Sequence, residues 1–278
     1  MTIYIMDQTL PRIHNPYEPF AFTDVATEAA GKQEQVYCHF WQLSDTMILG
    51  MKDTRLPFLT AGLQVLKEAG YASIIRNSGG LGVINDAGIL NVSLIFPKHL
   101  AATTDAAYEM MATLLQTAFP EWTILAYEIA DSYCPGTYDL SIDGKKIAGT
   151  AQRRIKDGVA VMMYLSINGD QPARGSLVRR FYQAGLKERF GKDGYPAVNP
   201  ASMTTLEAAL GRKFTTQEVI DRLQKALLSL ITDQSLYPLK SLDQWLSENN
   251  LSEQMQQRLA GMEKRNQPIK EFSDEPTI

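Results

Sequence analysis

Two Asp-Gly pairs, Asp143-Gly144 and Asp157-Gly158, interrupt the stretch TYDLSIDGKKIAGTAQRRIKDGVAVMMYLSI. Asp-Gly between β-prone runs is among the strongest hairpin signals, because a two-residue turn that follows the strand twist needs positive φ. Two such signals in succession predict three consecutive antiparallel strands. A further strand, "WTILAYEIA", leads into them through a Pro-Gly turn at Pro135-Gly136.

The flanking sequence supplies the other half of an α+β protein. Residues 19–34 read as a helix. "VYCHF" and "TMILGM" read as strands around a short Ser44-Asp45 turn, and "YASIIR" as another. "TAGLQVLKEAG" fits a helix closed by Gly70, and "TTDAAYEMMATLLQTAFP" an amphipathic helix stopped by Pro120. "ILNVSLIFP" reads as a strand with Asn91 and Ser93 on one face, since side chains alternate. From residue 173 the pattern turns helical, over 173–189, 202–211, 215–231, 240–249 and 252–264, before a tail from Arg265 that looks frayed. Strands joined by hairpins rather than by regular βαβ units imply a mostly antiparallel, mixed sheet flanked by helices. The 278 residues are read as one domain, with residues 233–278 as helices and tail packed on it.

Net charge is −4, against a dedicated nucleic-acid binder. No basic region followed by an apolar run marks a signal peptide, and no run is long enough to span a membrane. Two cysteines, Cys38 and Cys134, make no disulfide framework, so a cytoplasmic, reduced protein is expected. His14, His39 and His99 are scattered without metal-ligand spacing, and neither a metal nor a cofactor is expected. Walker A, Gly-x-Ser-x-Gly and His-Glu-x-x-His patterns are absent.

Cys134 stands apart from Cys38, which alternates with Tyr37 and His39 in an apolar strand and belongs in the core. A lone cysteine is most often a small buried apolar residue. On a Pro-Gly bend, however, a thiol is accessible, and a nearby ammonium favours the nucleophilic thiolate. Lys145 and Lys146 are adjacent on a strand and face opposite ways, so one is solvated. The small residues Ala148, Gly149, Thr150 and Ala151 after Lys146 leave room for a ligand or a second backbone. Gly79 and Gly80 allow close backbone approach, and their amides suit a carbonyl or a phosphate.

Together these pieces resemble the lipoate–protein ligase and octanoyltransferase family. Arg76-Asn77-Ser78-Gly79-Gly80 matches its Arg-x-Ser-Gly-Gly segment, and Asn91-Val92-Ser93 its Asn-x-Ser strand. Lys146-Ile147-Ala148-Gly149-Thr150-Ala151 matches the run around its lysine, and "MILGMKD" its early strand. The resemblance spans about residues 36–232. Leu81 stands where the ligases have a third glycine, and Asn85 where they have a histidine, which weighs against an ATP-dependent ligase. "YCPGTYDLSI" is most similar to the branch that moves octanoyl groups between lipoyl-carrier proteins. The resemblance implies a biotin/lipoate-ligase catalytic fold. It implies Cys134 as nucleophile through a thioester, with Lys146 lowering its pKa and shuttling the proton. Arg76, Ser78, Gly79, Gly80, Asn91, Ser93, Gly149, Thr150 and Ala151 would bind substrate. Amides at Gly79-Gly80 or at Gly149-Thr150 would stabilise the oxyanion. The donor would be the octanoylated H protein of the glycine cleavage system, and the acceptor a lysine on the lipoyl domain of a 2-oxoacid dehydrogenase. An acyl carrier protein donor is the alternative; an ATP-dependent ligase or a non-catalytic carrier-binding module are remoter ones. The cluster Arg153, Arg154, Lys156, Arg174, Arg179 and Arg180 is either a docking face for an acidic carrier or a solvated surface.

Overall fold

The computed structural model describes residues 3–9, 15–230, 235–239 and 241–272. In chain order the strands are β1 (Ile3–Gln8), β2 (Val36–Trp41), β3 (Thr46–Leu49), β4 (Ala72–Ile75), β5 (Val83–Asn85), β6 (Ile89–Pro97), β7 (Leu125–Ala126), β8 (Leu140–Ile142), β9 (Lys145–Ile155), β10 (Gly158–Ser166) and β11 (Leu236–Pro238). The helices are α1 (Glu18–Gln33), α2 (Leu59–Glu68), α3 (Thr104–Ala118), α4 (Gln171–Leu186), α5 (Leu206–Leu210), α6 (Thr216–Leu230), α7 (Leu242–Glu248) and α8 (Ser252–Asn266).

Eight strands form one sheet in the order β11-β1-β2-β6-β10-β9-β8-β7, and β4-β3-β5 form a second. The pairs β11-β1, β1-β2 and β3-β4 are parallel and the rest antiparallel, so the architecture is the expected α+β with mixed sheets. Helices α3 and α6 cover one face of the large sheet through Met111, Leu115, Leu223 and Leu227. Helix α1 covers the other, with α7 and α8 outside it. The small sheet packs with α2 and α4 in a third cluster beside α1.

The two Asp-Gly signals resolve differently. Asp143 and Gly144 both have positive φ, +48° and +75°, as a type I′ turn requires. The second turn instead uses Lys156 (φ +53°) and Asp157, and Gly158 already belongs to β10. Gly158 serves a helix contact: a Cβ there would lie 1.8 Å from Thr27 O of α1.

Other expectations change for tertiary reasons. β2 and β3 do not pair around Ser44-Asp45; they enter separate sheets, and Trp41 and Leu43 are buried in the core between. "WTILAYEIA" keeps only two strand residues, because β8 offers a partner of only three. β1 and β11, on the far edge, are strands that hydrophobic patterning alone missed. The supposed frayed tail is ordered to Phe272, with Ile269 and Phe272 buried beside β4 and α2; residues 273–278 lie outside the described residues. No helix among the described residues is long and apolar enough to cross a membrane.

Candidate active site

Cys134 sits in the turn before β8 with φ +50°. A non-glycine residue holds that conformation at a cost of order 1–3 kcal/mol, so its surroundings must enforce it. Lys146 does so. It is buried at 1% exposure, and its Nζ donates to Cys134 O (2.8 Å), Tyr133 O (3.0 Å) and Ser132 Oγ (3.1 Å). Asp139 Oδ1 matches the charge at 2.9 Å. The other carboxylate oxygen accepts from the amides of Gly136 and Ile129, both at 3.2 Å. Burial pushes the Asp139 carboxyl above the usual range, and the Lys146 ammonium pulls it back. Lys145, one residue away, is exposed, as alternation requires.

The ammonium of Lys146 thus bonds to the turn's backbone. The cation at the sulfur is Arg76, whose Nη2 lies 3.8 Å from Cys134 Sγ; the Leu81 amide donates to the same sulfur at 3.4 Å. Arg76 also donates to Gly79 O from Nη2 (2.6 Å) and Nε (3.2 Å), folding its own loop around itself. Gly80 has φ +91°, and a Cβ there would lie 2.6 Å from Arg76 Nη2 and 3.4 Å from the sulfur. Glycine at that position therefore lets guanidinium and thiol meet.

A buried relay supports this loop from behind. The Gly82 amide donates to Tyr182 Oη at 3.1 Å, and Tyr182 donates to Asp53 Oδ1 at 2.9 Å. Asp53 Oδ2 accepts from the Gly50 amide at 2.8 Å. Complete burial pushes the Asp53 carboxyl up to about 7. Gly50 itself touches the loop, since a Cβ there would lie 2.0 Å from Gly80 O.

Cys134 opens onto a cleft of about 510 Å³, mouth included. Of the residues expected to bind substrate, Arg76, Ser78, Asn91, Gly149, Thr150 and Ala151 line it. Phe20, Trp41, Ile48, Val83, Met162 and Tyr164 make it apolar. Gly149, Tyr164, Asn91 and Trp41 are register partners on β9, β10, β6 and β2, so they form one row across the sheet. Cys134 stands over the β9 end of that row. At the β2 end, Phe20 of α1 meets Trp41 edge to face, with centroids 5.1 Å apart.

Four expected residues fall elsewhere. Ser93 is in the next row of β6 under α1, with its Oγ 3.4 Å from Thr23 Oγ1, and it does not line the cleft. Gly79 and Gly80 are in the Arg76 loop above the thiol, and Lys146 lies behind the turn. Asn85, in the ligases' histidine position, is buried and accepts from Asn91 Nδ2.

The anticipated basic cluster is largely consumed inside the fold. Arg153 pairs with Asp24 (2.6 Å), Arg174 with Asp86 (2.6 Å) and Lys156 with Glu28. Arg154 donates to the carbonyls of Ala101, Ala102 and Thr103, and Arg179 to Val198 O. Cys38 is buried, and burial pushes its thiol above the ordinary range. Among the described residues no three His, Cys, Asp or Glu side chains gather as a metal site.

Sequence reasoning missed Asp139, Asp53, Tyr182 and the Trp41 wall. Asp139 lies five residues past Cys134, but a carboxylate in a turn-rich stretch reads as solvated until its burial is known.

The family model described as "Lipoyl protein ligase A/B catalytic domain" matches residues 15–228. A protein of Macrococcus caseolyticus is 40% identical over 242 residues, 86% of this chain and 84% of its own. One of Exiguobacterium sibiricum is 44% identical over 234 residues, 81% and 84% of the two chains. Both are named octanoyl-[GcvH]:protein N-octanoyltransferase. Among solved structures, the putative lipoate protein ligase Ta0514 of T. acidophilum, with bound lipoic acid, superposes with a TM-score of 0.64. It is 15% identical, over 91% of this chain and 96% of that one, and so speaks for the fold alone. Chemistry, fold and sequence agree: the chain belongs to the family of the lipoyl protein ligase A/B catalytic domain.

Proposed function

We propose that the chain is a cysteine-dependent protein N-octanoyltransferase. It moves an octanoyl group from the octanoylated glycine cleavage H protein to a lysine of the lipoyl domains of 2-oxoacid dehydrogenases. The observation that carries this is Cys134 Sγ at the mouth of an apolar cleft, with the Arg76 guanidinium and the Leu81 amide converging on it. The names of the relatives support the choice of donor.

The Cys134 thiolate attacks the carbonyl of the donor's octanoyl-lysine. A C–S bond forms, the C–N bond breaks, and the donor lysine leaves as an amine after taking up a proton. The amine of the acceptor lysine then attacks the thioester. A C–N bond forms, the thiolate leaves, and the amine's surplus proton is released. One amide replaces another, so the exchange needs no ATP, and the thioester divides a difficult amide exchange into two steps.

Arg76 stabilises the thiolate, and the Leu81 amide is the nearest backbone donor for the oxyanion. Lys146, tied to Asp139, holds the turn that presents the sulfur. The octanoyl chain enters the cleft, where each buried methylene contributes about 0.8 kcal/mol. The free thiol suits a reducing compartment, which we take to be the cytoplasm.

The test is intact-protein mass after mixing the chain with octanoylated H protein, without ATP, beside Cys134→Ser. A hydroxylamine-labile octanoyl adduct on the unsubstituted protein alone is the expected result. An adduct formed only with octanoyl-acyl carrier protein would change the donor. No adduct with either would end the thioester reading.

A further inference from the structure

The C-terminal helix α8 lies beyond the segment the family model matches, which ends at residue 228. One of its side chains reaches the backbone before Arg76 directly, and a second is linked to the backbone after Arg76 through two intervening side chains. On the N-terminal side, Asn266 takes both polar groups of Ile75. Its Oδ1 accepts from the Ile75 amide at 2.7 Å, and its Nδ2 donates to Ile75 O at 3.1 Å and to Met262 O at 3.0 Å. Asn266 is buried at 2% exposure and Ile75 at 3%, so water cannot replace these bonds.

On the C-terminal side the link passes through α1. Arg258 lies 3.7 Å from Asp24 Oδ2 and 3.3 Å from Glu28 Oε2. Asp24 accepts a bidentate pair from Arg153, and Arg153 Nη1 donates to Asn77 O at 2.7 Å. Residue 75 is thus held by α8 directly and residue 77 by Arg153, which α8 meets through Asp24, while Arg76 between them reaches the thiol.

We propose that α8 positions Arg76 against Cys134, with Asn266 and Arg258 as its positioning residues. The inference rests on the reading of Cys134 and Arg76 as a working pair. A side chain 3.8 Å from a sulfur is sensitive to small displacements of its backbone, because charge stabilisation falls off with distance. Other groups coupled to the sulfur are Tyr108 of α3, Tyr164 of β10 and Tyr182 of α4, each with its pKa raised by burial and so neutral at ordinary pH. The Lys146–Asp139 pair stands behind the turn as a compensated ion pair. Arg76 is therefore the cation nearest the thiol; the Asp53 carboxyl, pushed up to about 7 by burial, lies within electrostatic reach of the guanidinium, and the pH profile of the thiol reads the position of Arg76.

The experiment follows the rate of Cys134 alkylation by iodoacetamide against pH in the full-length protein, beside its thermal midpoint. Buried Cys38 is the internal blank. The variants are Arg76→Gln, Asn266→Ala, Asn266→Ala with Arg76→Gln, Arg258→Gln and Arg258→Lys. Arg76→Gln moves the alkylation profile to higher pH, because the thiolate loses its neighbouring cation. Asn266→Ala moves it in the same direction, and combining the two adds nothing, the signature of residues acting through one group. Arg258→Gln gives a smaller shift that Arg258→Lys reverses.

A lowered thermal midpoint with an unchanged alkylation profile in both Asn266→Ala and Arg258→Gln would overturn the proposal, since a purely structural role predicts that result. Where Asn266→Ala does not fold, the Arg258 pair alone decides. An unchanged profile in Arg76→Gln would instead remove the underlying Cys134–Arg76 pairing.

Discussion

Lys146 and Asp139 form an ion pair behind the Cys134 turn. Both are buried, and each satisfies groups beyond its partner: three oxygens for the lysine and two amides for the aspartate. Removing one member strands a buried charge, which costs about 3–5 kcal/mol. Asp139→Asn is therefore expected to lower stability by that amount in urea unfolding. The double change Lys146→Met with Asp139→Leu recovers part of the loss, because no charge remains buried. It does not recover acyl transfer, since nothing then holds Cys134 at positive φ. Full stability loss in the double variant would show that the two do not act as a pair. The sequence pointed to Lys146 through its small-residue neighbours; its partner was invisible because pairing across a turn depends on how that turn folds.

At the scale of elements, the width of the large sheet sets the length of the cleft. From β9, under Cys134, to β2, which carries Trp41, there are three strand-to-strand steps in the sheet order. At 4.7–4.9 Å per step this is about 14 Å. An extended chain gains about 1.2 Å per bond, so eight carbons take about 8–9 Å, leaving room for the cysteine side chain and the indole. Trp41, backed by Phe20, is thus expected to be the wall that limits acyl length. Trp41→Leu is expected to extend the accepted donors by several carbons, each new buried methylene contributing about 0.8 kcal/mol, roughly fourfold in affinity. Adduct formation at Cys134 with a series of acyl donors measures this. An unchanged length profile in Trp41→Leu, and equally in the milder Trp41→Phe, would place the wall elsewhere. The row itself was half legible. Asn91 and the Gly149 run were read from the sequence. Their alignment with Trp41 required the register of four strands from three separate stretches of chain.

Across the whole molecule, the relay from Gly82 through Tyr182 to Asp53 and Gly50 joins the Arg76 loop, α4 and the segment after β3. Its carboxyl is raised from 3.8 to about 7, so the folded protein binds this proton more tightly than the unfolded chain. The stability it contributes is fully present below about pH 4 and is lost as pH rises through about 7. At 1.36 kcal/mol per unit the loss is on the order of 4 kcal/mol. Asp24 and Asp139 shift in the same direction and add to the slope. Asp53→Asn removes this group's part of it, so urea midpoints between pH 4 and 7.5 should decline less steeply in the variant. Parallel curves for the two proteins would mean that Asp53 does not titrate in that window.

The amino-acid order alone determined the α+β class, the antiparallel run from β8 to β10, the helical second half, and the residues that line the cleft at Arg76, Ser78, Asn91 and Gly149–Ala151. The class, the antiparallel run and the helical half follow from local rules of turn chemistry and alternation along a strand, whereas the cleft residues were expected from the resemblance of their motifs to the lipoate–protein ligase and octanoyltransferase family. Only the tertiary structure decided that Gly158 admits α1 rather than making a turn, that Arg76 and not Lys146 faces the sulfur, and that most of the basic cluster is spent on internal partners. It alone brought Asn266 to Ile75, 191 residues away. Those outcomes depend on which distant groups share a buried space, and burial is what turns an ordinary asparagine, aspartate or arginine into a group that must find a partner.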